Sequence, residues 1–465
     1  MTDVLAPPTQ DVPRPILRPP RREGATQRTL WSLLDSIARM HPKRIDLRLG
    51  RIQRLLAALD NPHHTLPRVI HIAGTNGKGS TLAFLAACLQ AHGYSVNGYS
   101  SPHLVDFNER IMLRGKAVAD APLIDALHHV LARNQGRAIT FFELTTAVAF
   151  YLFRATPADV TLVECGMGGR FDATNVFTQP ALSVITAIAM DHQRYLGNSL
   201  AAIATEKAGI IKANTPCVIA KQKPAIRQLL VTKAQEQQAP ALAYGDHWHY
   251  KSTPQGDWHY HGKGSYTLPP PALQGGHQYD NAATAVACLE HLLGTSLKEK
   301  ALCHGISHAV WHARLQEITN NPLNQLLPTG CQLWLDGAHN TAAARALSTS
   351  LPLISHGKKW HIILGMLNTK SPKSFIKPLL PLIAQLHTVP VIGDGSQSRQ
   401  ATQLAHALKD DIATHPPYPH ESLTAAIQHI AQHVKARANS APTYILVCGS
   451  LYLARDVLSA SGRQR

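Results

Sequence analysis

The 465-residue sequence contains no uninterrupted apolar run approaching the roughly 18 residues that a membrane-spanning helix needs, and its N-terminus carries no apolar signal-peptide core. No membrane partner is expected. Charged residues are scarce, at 16% of the chain, and no tight Lys/Arg cluster is interleaved with aromatics. That argues against a nucleic-acid partner despite a formal net charge of +16. The positive excess suits ATP and polycarboxylate substrates, and suits a basic proteome equally, because net charge governs attraction and not fold. The seven cysteines, at 88, 165, 217, 288, 303, 331 and 448, form no CxxC pair and are odd in number. Most lie in apolar runs, so reduced thiols and a cytoplasmic location are expected.

What is present reads as two layered α/β domains, which the length also favours. Residues 1–27 are rich in Pro and Arg and read as a disordered leader. Apolar β-branched runs then alternate with helical stretches. Strands are expected at Val69–Ala73, Val160–Val163, Leu182–Ile188 and Cys217–Ala220, and helices at Ser80–Ala91, Thr145–Arg154 and from about Asp280 to Leu293. Two aromatic and His-rich runs around a Pro-Gln-Gly-Asp turn predict a β-hairpin within His247–Tyr266. The Pro/Asn-rich stretch 320–330 predicts a linker, which bounds a first domain at 28–319 and a second at 331–465. In the second domain the pattern predicts strands at Gln332–Leu335, Trp360–Leu364, Val389–Ile392 and Tyr444–Cys448, with helices at Thr341–Leu351, Lys373–Gln385 and Ser422–Ala438.

The strongest local signal is His71–Thr81, HIAGTNGKGST, in which a strand runs through a Gly-rich turn into a helix. Such a turn lets backbone N–H groups approach a phosphate at a helix N-terminus, with Lys78 as the point charge. The match to a P-loop is imperfect. Ile72 stands where its first glycine belongs, and Gly79 occupies the Ser/Thr position that normally holds Mg²⁺. A metal ligand must therefore come from elsewhere. Candidates lie at other strand ends, where open α/β sheets bind ligands: Ser101 and His103, Glu164, and Asp191 with His192. Taken singly, each could be structural, and an imidazole is an unusual Mg²⁺ ligand.

Lys207 is the most informative single residue. On a helix over Ser199–Ile211 it shares a face with Leu200, Ile203, Ala204 and Ile211. Either the amine snorkels to solvent, or burial lowers its pKa and leaves a neutral, reactive amine.

Together these pieces resemble the folylpolyglutamate synthase/dihydrofolate synthase family, a branch of the Mur-ligase superfamily. The resemblance spans roughly residues 30–455. It rests on Ile45-Asp46-Leu47, the stretch Ala73–Ser80, Tyr99–Leu104, Phe142-Glu143, Glu164–Asn175, Met190–His192, Glu206–Gly209, Asp336–Asn340 and Cys448–Ser450. The Ser-Pro-His-Leu and Gly-Gly-Arg-Phe-Asp-Ala-Thr-Asn elements set this branch apart from the cell-wall ligases.

The resemblance implies an α/β fold with a P-loop Mur-ligase-type central ATPase domain and a smaller Rossmann-like C-terminal domain. It implies ATP bound by Gly74, Thr75, Asn76, Gly77, Lys78, Gly79 and Ser80, with Asn281, Arg314 and Asp336 closing from the hinge and second domain. Two Mg²⁺ ions are implied, with Ser101, Glu164 and His192 as ligands and a carbamylated Lys207. Ile45, Asp46, Leu47, Thr140, Phe141, Phe142 and Asp172 are implied to line a pterin pocket, and His339 and Ser450 to serve the glutamate side. Lys78, Lys207, Arg314 and His339 would be the catalytic groups. The chain departs from the family in a longer N-terminal leader, in Cys165 where Val is common, and in the His-rich hairpin.

The implied activity is ATP-dependent addition of L-glutamate to dihydropteroate and tetrahydrofolates through an acyl phosphate, by a monomeric enzyme. A folylpolyglutamate synthase without the dihydropteroate activity is the nearer alternative. A cell-wall ligase would need an additional N-terminal nucleotide-sugar domain, for which residues 1–40 are too short. A catalytically silent nucleotide-binding module would have lost one of Lys78, Glu164, His192 or Lys207, and all are present.

Overall fold

The computed structural model describes residues 24–39, 48–391, 398–411, 416–435 and 442–460. Ile45, Asp46 and Leu47 lie outside the described residues, as does most of the expected leader. A helix Ala25–Arg39 begins within the stretch read as leader and packs Leu30, Leu34 and Ile37 into the core.

The first sheet has eight strands. They are β1 Val69–Ala73, β2 Val96–Tyr99, β3 Ile111–Leu113, β4 Lys116–Ala117, β5 Val160–Glu164, β6 Leu182–Ile185, β7 Cys217–Ile219 and β8 Ala241–Ala243, in the order β4-β3-β2-β5-β1-β6-β7-β8. From β2 to β8 all neighbours run parallel, while β3 and β4 form an antiparallel edge. The central strands are buried throughout because helices cover both faces, which is why they read as continuous apolar runs. β6 stops three residues earlier than expected. Thr186 leaves the sheet to donate its hydroxyl to the Asn76 carbonyl (2.8 Å), and the Thr75 and Asn76 N–H groups both donate to the Ala187 carbonyl (2.9 and 3.1 Å).

The helix Lys78–Ala91 is buried on nearly all sides, between this sheet and the helices His277–Leu293 and Glu299–His308. The expected hairpin is a three-stranded antiparallel sheet of β9 His249–Ser252, β10 Trp258–His261 and β11 Ser265–Leu268. Trp258 and Tyr260 point into the core, while His259 faces solvent, the period-2 alternation of a half-buried strand.

The second sheet contains β12 Gln316–Ile318, β13 Cys331–Leu335, β14 Trp360–Leu364, β15 Ile383–Thr388, β16 Tyr418–Pro419 and β17 Thr443–Cys448, in the order β12-β13-β17-β14-β15-β16. β12 pairs antiparallel with β13, and the other pairs are parallel. Two expectations are corrected here. The Pro/Asn-rich stretch 320–330 joins β12 to β13, so it is a connection inside the second layer and not a link between layers. The helix expected over Lys373–Gln385 is a short helix Pro372–Ile376, a 3₁₀ turn Lys377–Leu382 and then β15. Pro378 and Pro381 remove the N–H donors that a continuous helix requires, and the strand lies at Ile383–Thr388, ahead of the expected Val389–Ile392, of which Ile392 is outside the described residues.

Gly305 marks a close approach between two helices. A Cβ there would lie 2.5 Å from the Cα of Cys88 on the buried helix. Because the obstacle is backbone, Gly305→Ala is expected to destabilise the protein by about 1–3 kcal/mol through overpacking. Urea denaturation measures this, and an unchanged midpoint would refute the packing assignment.

Candidate active site

Four neighbouring strands, β2, β5, β1 and β6, end on the same edge of the first sheet, and each is followed by a loop that carries candidate residues. After β1 comes the phosphate loop. Gly77 has φ +89°, and a Cβ there would sit 2.3 Å from Asn281 Oδ1, so the loop needs glycine for both backbone and space. Asn281 is itself held by Gln278, to which its Nδ2 donates (2.9 Å).

Around this loop the structure gathers Lys78, Glu164, Ser101 and Lys207. Lys78 Nζ stands 3.7 Å from Glu164 Oε1, and the Ser101 N–H faces Glu164 Oε2 at 3.4 Å. Burial raises the Glu164 pKa, opposed by Lys78, the Ser101 amide and Arg314. Lys207 is 4% exposed and donates from Nζ to the Gly74 carbonyl (2.8 Å). Its amine does not snorkel: burial, reinforced by the charge of Lys78, lowers its pKa to about 7. The apolar helical face therefore brings a buried amine to the phosphate loop.

His192 follows β6 in a left-handed backbone conformation (φ 49°). The residue is exposed, and desolvation by the atoms around it lowers its pKa to about 4 against the pull of Asp191. The neighbouring candidate His103 is differently employed: it accepts a hydrogen bond from Arg110 Nε (2.9 Å) and packs edge-on against Phe107.

The second sheet repeats the arrangement. Its adjacent strands β13, β17 and β14 are followed by Asp336–Asn340, by Ser450 and by the loop that carries Lys370. Asp336 is buried and accepts from the Leu315 and Ala338 amides (2.7 Å each), which ties the Arg314 segment to the β13 loop. Burial raises its pKa, and Arg314 offsets part of that. His339 Nδ1 lies 2.9 Å from the Gly337 carbonyl, and its Nε2 lies 3.4 Å from Asp191 Oδ2 of the first layer. Ser450 is buried, and its hydroxyl accepts from the Tyr452 amide (3.1 Å) at the start of the helix Leu451–Ala460.

The expected pterin group is placed less uniformly. Thr140 caps the helix Phe141–Ala155 in a reciprocal box with Glu143, and Phe141 is a core residue set edge-on to Phe107. Phe142 is partly exposed, stacks on Tyr99 and covers Gly166, where a Cβ would meet its ring at 2.5 Å. Asp172 is buried and accepts from the Met167 and Thr174 amides (2.8 and 3.0 Å), which organises the Gly-rich loop after β5. Burial raises its pKa, partly countered by these bonds.

A Mur ligase middle-domain family matches residues 72–289, and a dihydrofolate synthetase C-terminal-domain family matches residues 319–460. The chain is 30% identical over 439 residues to the dihydrofolate synthase/folylpolyglutamate synthase of Escherichia coli strain K12, covering 94% of this chain and 96% of that one. It is 33% identical over 363 residues to the enzyme of that name from Bacillus subtilis strain 168, covering 73% of this chain and 80% of that one. The chain belongs to the dihydrofolate synthase/folylpolyglutamate synthase family. Among solved structures it superposes on the Mycobacterium tuberculosis folylpolyglutamate synthase complexed with ADP and AMPPCP with a TM-score of 0.81 at 29% identity, over 94% of this chain and 99% of that one. It superposes on the E. coli protein in complex with DHPP and ADP with a TM-score of 0.79 at 30% identity, over 92% and 96%. A bifunctional family member has also been solved with Mn, AMPPNP and L-glutamate bound (TM-score 0.77, 29% identity, 93% and 97%).

Sequence reasoning missed two residues that the structure sets at the contact between the two layers. Asn340 belongs to the Asp-Gly-Ala-His-Asn element but was given no role, and Lys370 was not singled out. The strand-end rule applied to the first sheet would have found Lys370, since its loop follows β14.

Gly77→Ala is expected to retain the fold and to weaken ATP binding by at least about tenfold, because the substitution strains φ and drives a methyl into Asn281. Isothermal titration with a non-hydrolysable ATP analogue reads this; wild-type affinity would disprove the assigned loop.

Proposed function

We propose that this chain is an ATP-dependent ligase that joins L-glutamate to the carboxylate of dihydropteroate and of reduced folates. The observation that carries the reading is the meeting of Lys78, Glu164, Ser101 and Lys207 at the first sheet's edge with Arg314, Asp336 and His339 from the second domain. A binding module would have no use for a lysine paired with a buried carboxylate at a phosphate loop that a second, buried lysine also touches. The relatives' complexes with ADP, AMPPNP, DHPP and L-glutamate support the same reading.

A carboxylate is a poor acyl donor, so the reaction proceeds by phosphorylation. The substrate carboxylate oxygen attacks the γ-phosphorus, ADP leaves, and the amine of glutamate then attacks the acyl carbon with loss of phosphate. Both partners in the first step are anionic, so the chain's task is positioning and charge neutralisation. Lys78 neutralises the β- and γ-phosphates from the loop. Arg314 approaches from the second domain, held by the segment that Asp336 organises. Asn281 supports the loop beneath the nucleotide. His339 and Ser450 face the incoming amino acid, and Phe142 with Asp172 lies on the donor side.

Mg²⁺ fits the donor set. Ser101 and Glu164 offer hard oxygens, with His192 as a further ligand. An ion held by these residues would take its remaining ligands from water and phosphate oxygens. When bound, the ion supplies the positive charge that polarises the γ-phosphate. We assign Lys207 as the site of carbamylation. An amine with pKa near 7 is substantially neutral at cytoplasmic pH and can add CO₂, and the product replaces a cation by an anion beside the phosphate loop.

Lys78→Ala and Glu164→Gln are each expected to cut ligation by about a thousandfold or more with little change in melting temperature. Phosphate release with ATP, L-glutamate and either dihydropteroate or tetrahydrofolate measures both the loss and the substrate range. Activity on tetrahydrofolate alone would select a monofunctional enzyme, and near-normal turnover in either variant would overturn the site.

Carbamylation is expected to rise with pH, because CO₂ adds only to the neutral amine, whose fraction grows as pH passes about 7. At fixed dissolved CO₂, carbon-13 NMR should show the carbamate signal growing between about pH 6 and pH 8 in wild type and absent in Lys207→Arg. Lys207→Ala should lose activity and regain a fraction with acetate. A fully active preparation without the signal would remove the carbamate and leave the ligase reading intact.

A further inference from the structure

Several side chains join the two domains, and one of them makes four polar contacts at once. Asn340 begins the helix Thr341–Ile354, where its Oδ1 accepts from the Ala343 amide (2.9 Å). The same Oδ1 lies 3.4 Å from Asn76 Nδ2 in the phosphate loop. Its Nδ2 donates to Asn76 Oδ1 (3.0 Å) and to Asp191 Oδ2 (3.2 Å). Asp191 also forms an ion pair with Lys370 from the β14 loop, faces His339 Nε2, and accepts from the His192 amide (2.8 Å). Asp191 and Lys370 are both largely enclosed, with side-chain exposures of 9% and 15%. A first-domain carboxylate is thus surrounded by three second-domain groups, and the amide of the phosphate loop is matched atom for atom by the amide of Asn340.

We infer that Asn340 and Lys370 are positioning residues that hold the second domain against the phosphate loop through Asn76 and Asp191. The chemistry favours this over a purely structural role. Helix capping needs only an acceptor, and Ser or Asp would serve as well as Asn. The donor half of the amide is directed wholly across the domain contact. Asp191 gains nothing for its own domain from Lys370, yet without cations its enclosed charge would be costly. The clamp joins the loop that meets the nucleotide to the residues placed on the glutamate side, so closure and site assembly are one event. Only the kinetic part of the test rests on the ligase reading.

Two variants separate the cap from the clamp. Asn340→Ser keeps a capping oxygen and loses both cross-domain donations; Asn340→Asp also keeps the cap and sets a carboxylate against Asp191. Each is expected to melt within a few degrees of wild type. Hydrogen–deuterium exchange on the full chain should quicken in residues 74–80 and 186–192, while the Thr341–Ile354 helix stays protected. Ligation should fall about tenfold in Asn340→Ser and further in Asn340→Asp, with the loss divided between kcat and a raised KM for L-glutamate. Lys370→Met carries no capping role and should reproduce the exchange change from the other side of Asp191, which keeps the test valid if either Asn340 variant fails to fold. Wild-type exchange in the folded variants, or an exchange change confined to the helix, overturns the proposal. A wild-type protein without ligase activity would overturn the functional reading instead, and the exchange result would still decide the clamp.

Discussion

The parallel order of the sheets is the constraint on which the rest depends. A parallel strand delivers its carboxyl end to the same edge as its neighbours, so the loops after β2, β5, β1 and β6 have no choice but to converge. The second sheet does the same with β13, β17 and β14. Residues as far apart in sequence as Asn76 and Asn340, 264 positions, therefore meet where the two sheets' edges face each other. Each loop contributes only a few of the side chains.

Electrostatics then decides what the cleft can do. Glu164 pairs with Lys78 in a poorly hydrated space, while Lys207, buried beside the same phosphate loop, is repelled by Lys78 and held by the Gly74 carbonyl. The resulting balance is poised: Lys207 is pushed toward neutrality by the same burial that raises the Glu164 pKa. The P-loop lacks its usual hydroxyl, and the strand-end groups proposed to take over that role, Ser101 and Glu164, are already placed beside it by the topology.

Much of the first layer was legible because fully buried parallel strands leave uninterrupted apolar runs, as in Val69–Ala73 and Val160–Glu164. Lys207 was legible as a lysine on an apolar helical face, but periodicity alone left two outcomes open. The choice between a snorkelling and a buried amine depends on whether the carbonyl of Gly74 lies within reach, and Gly74 is 133 residues away in sequence. The errors were of a different kind. Prolines at 378 and 381 were read inside a helix, and the connection over 320–330 was read as a linker because a Pro/Asn-rich stretch looks the same whether it joins two domains or two strands.

The sequence by itself determined the alternation of strands and helices, the phosphate loop with its defect, and the family resemblance, since all three are written in residues close together along the chain. The tertiary structure alone decided which groups touch. It assigned Thr140 and Phe141 to capping and packing, turned His103 toward Arg110, and set Asn340 and Lys370 around Asp191. The physical reason is that an ion pair or an amide pair leaves no periodicity in sequence. It exists only when two layers, each folded for its own core, bring their strand ends together.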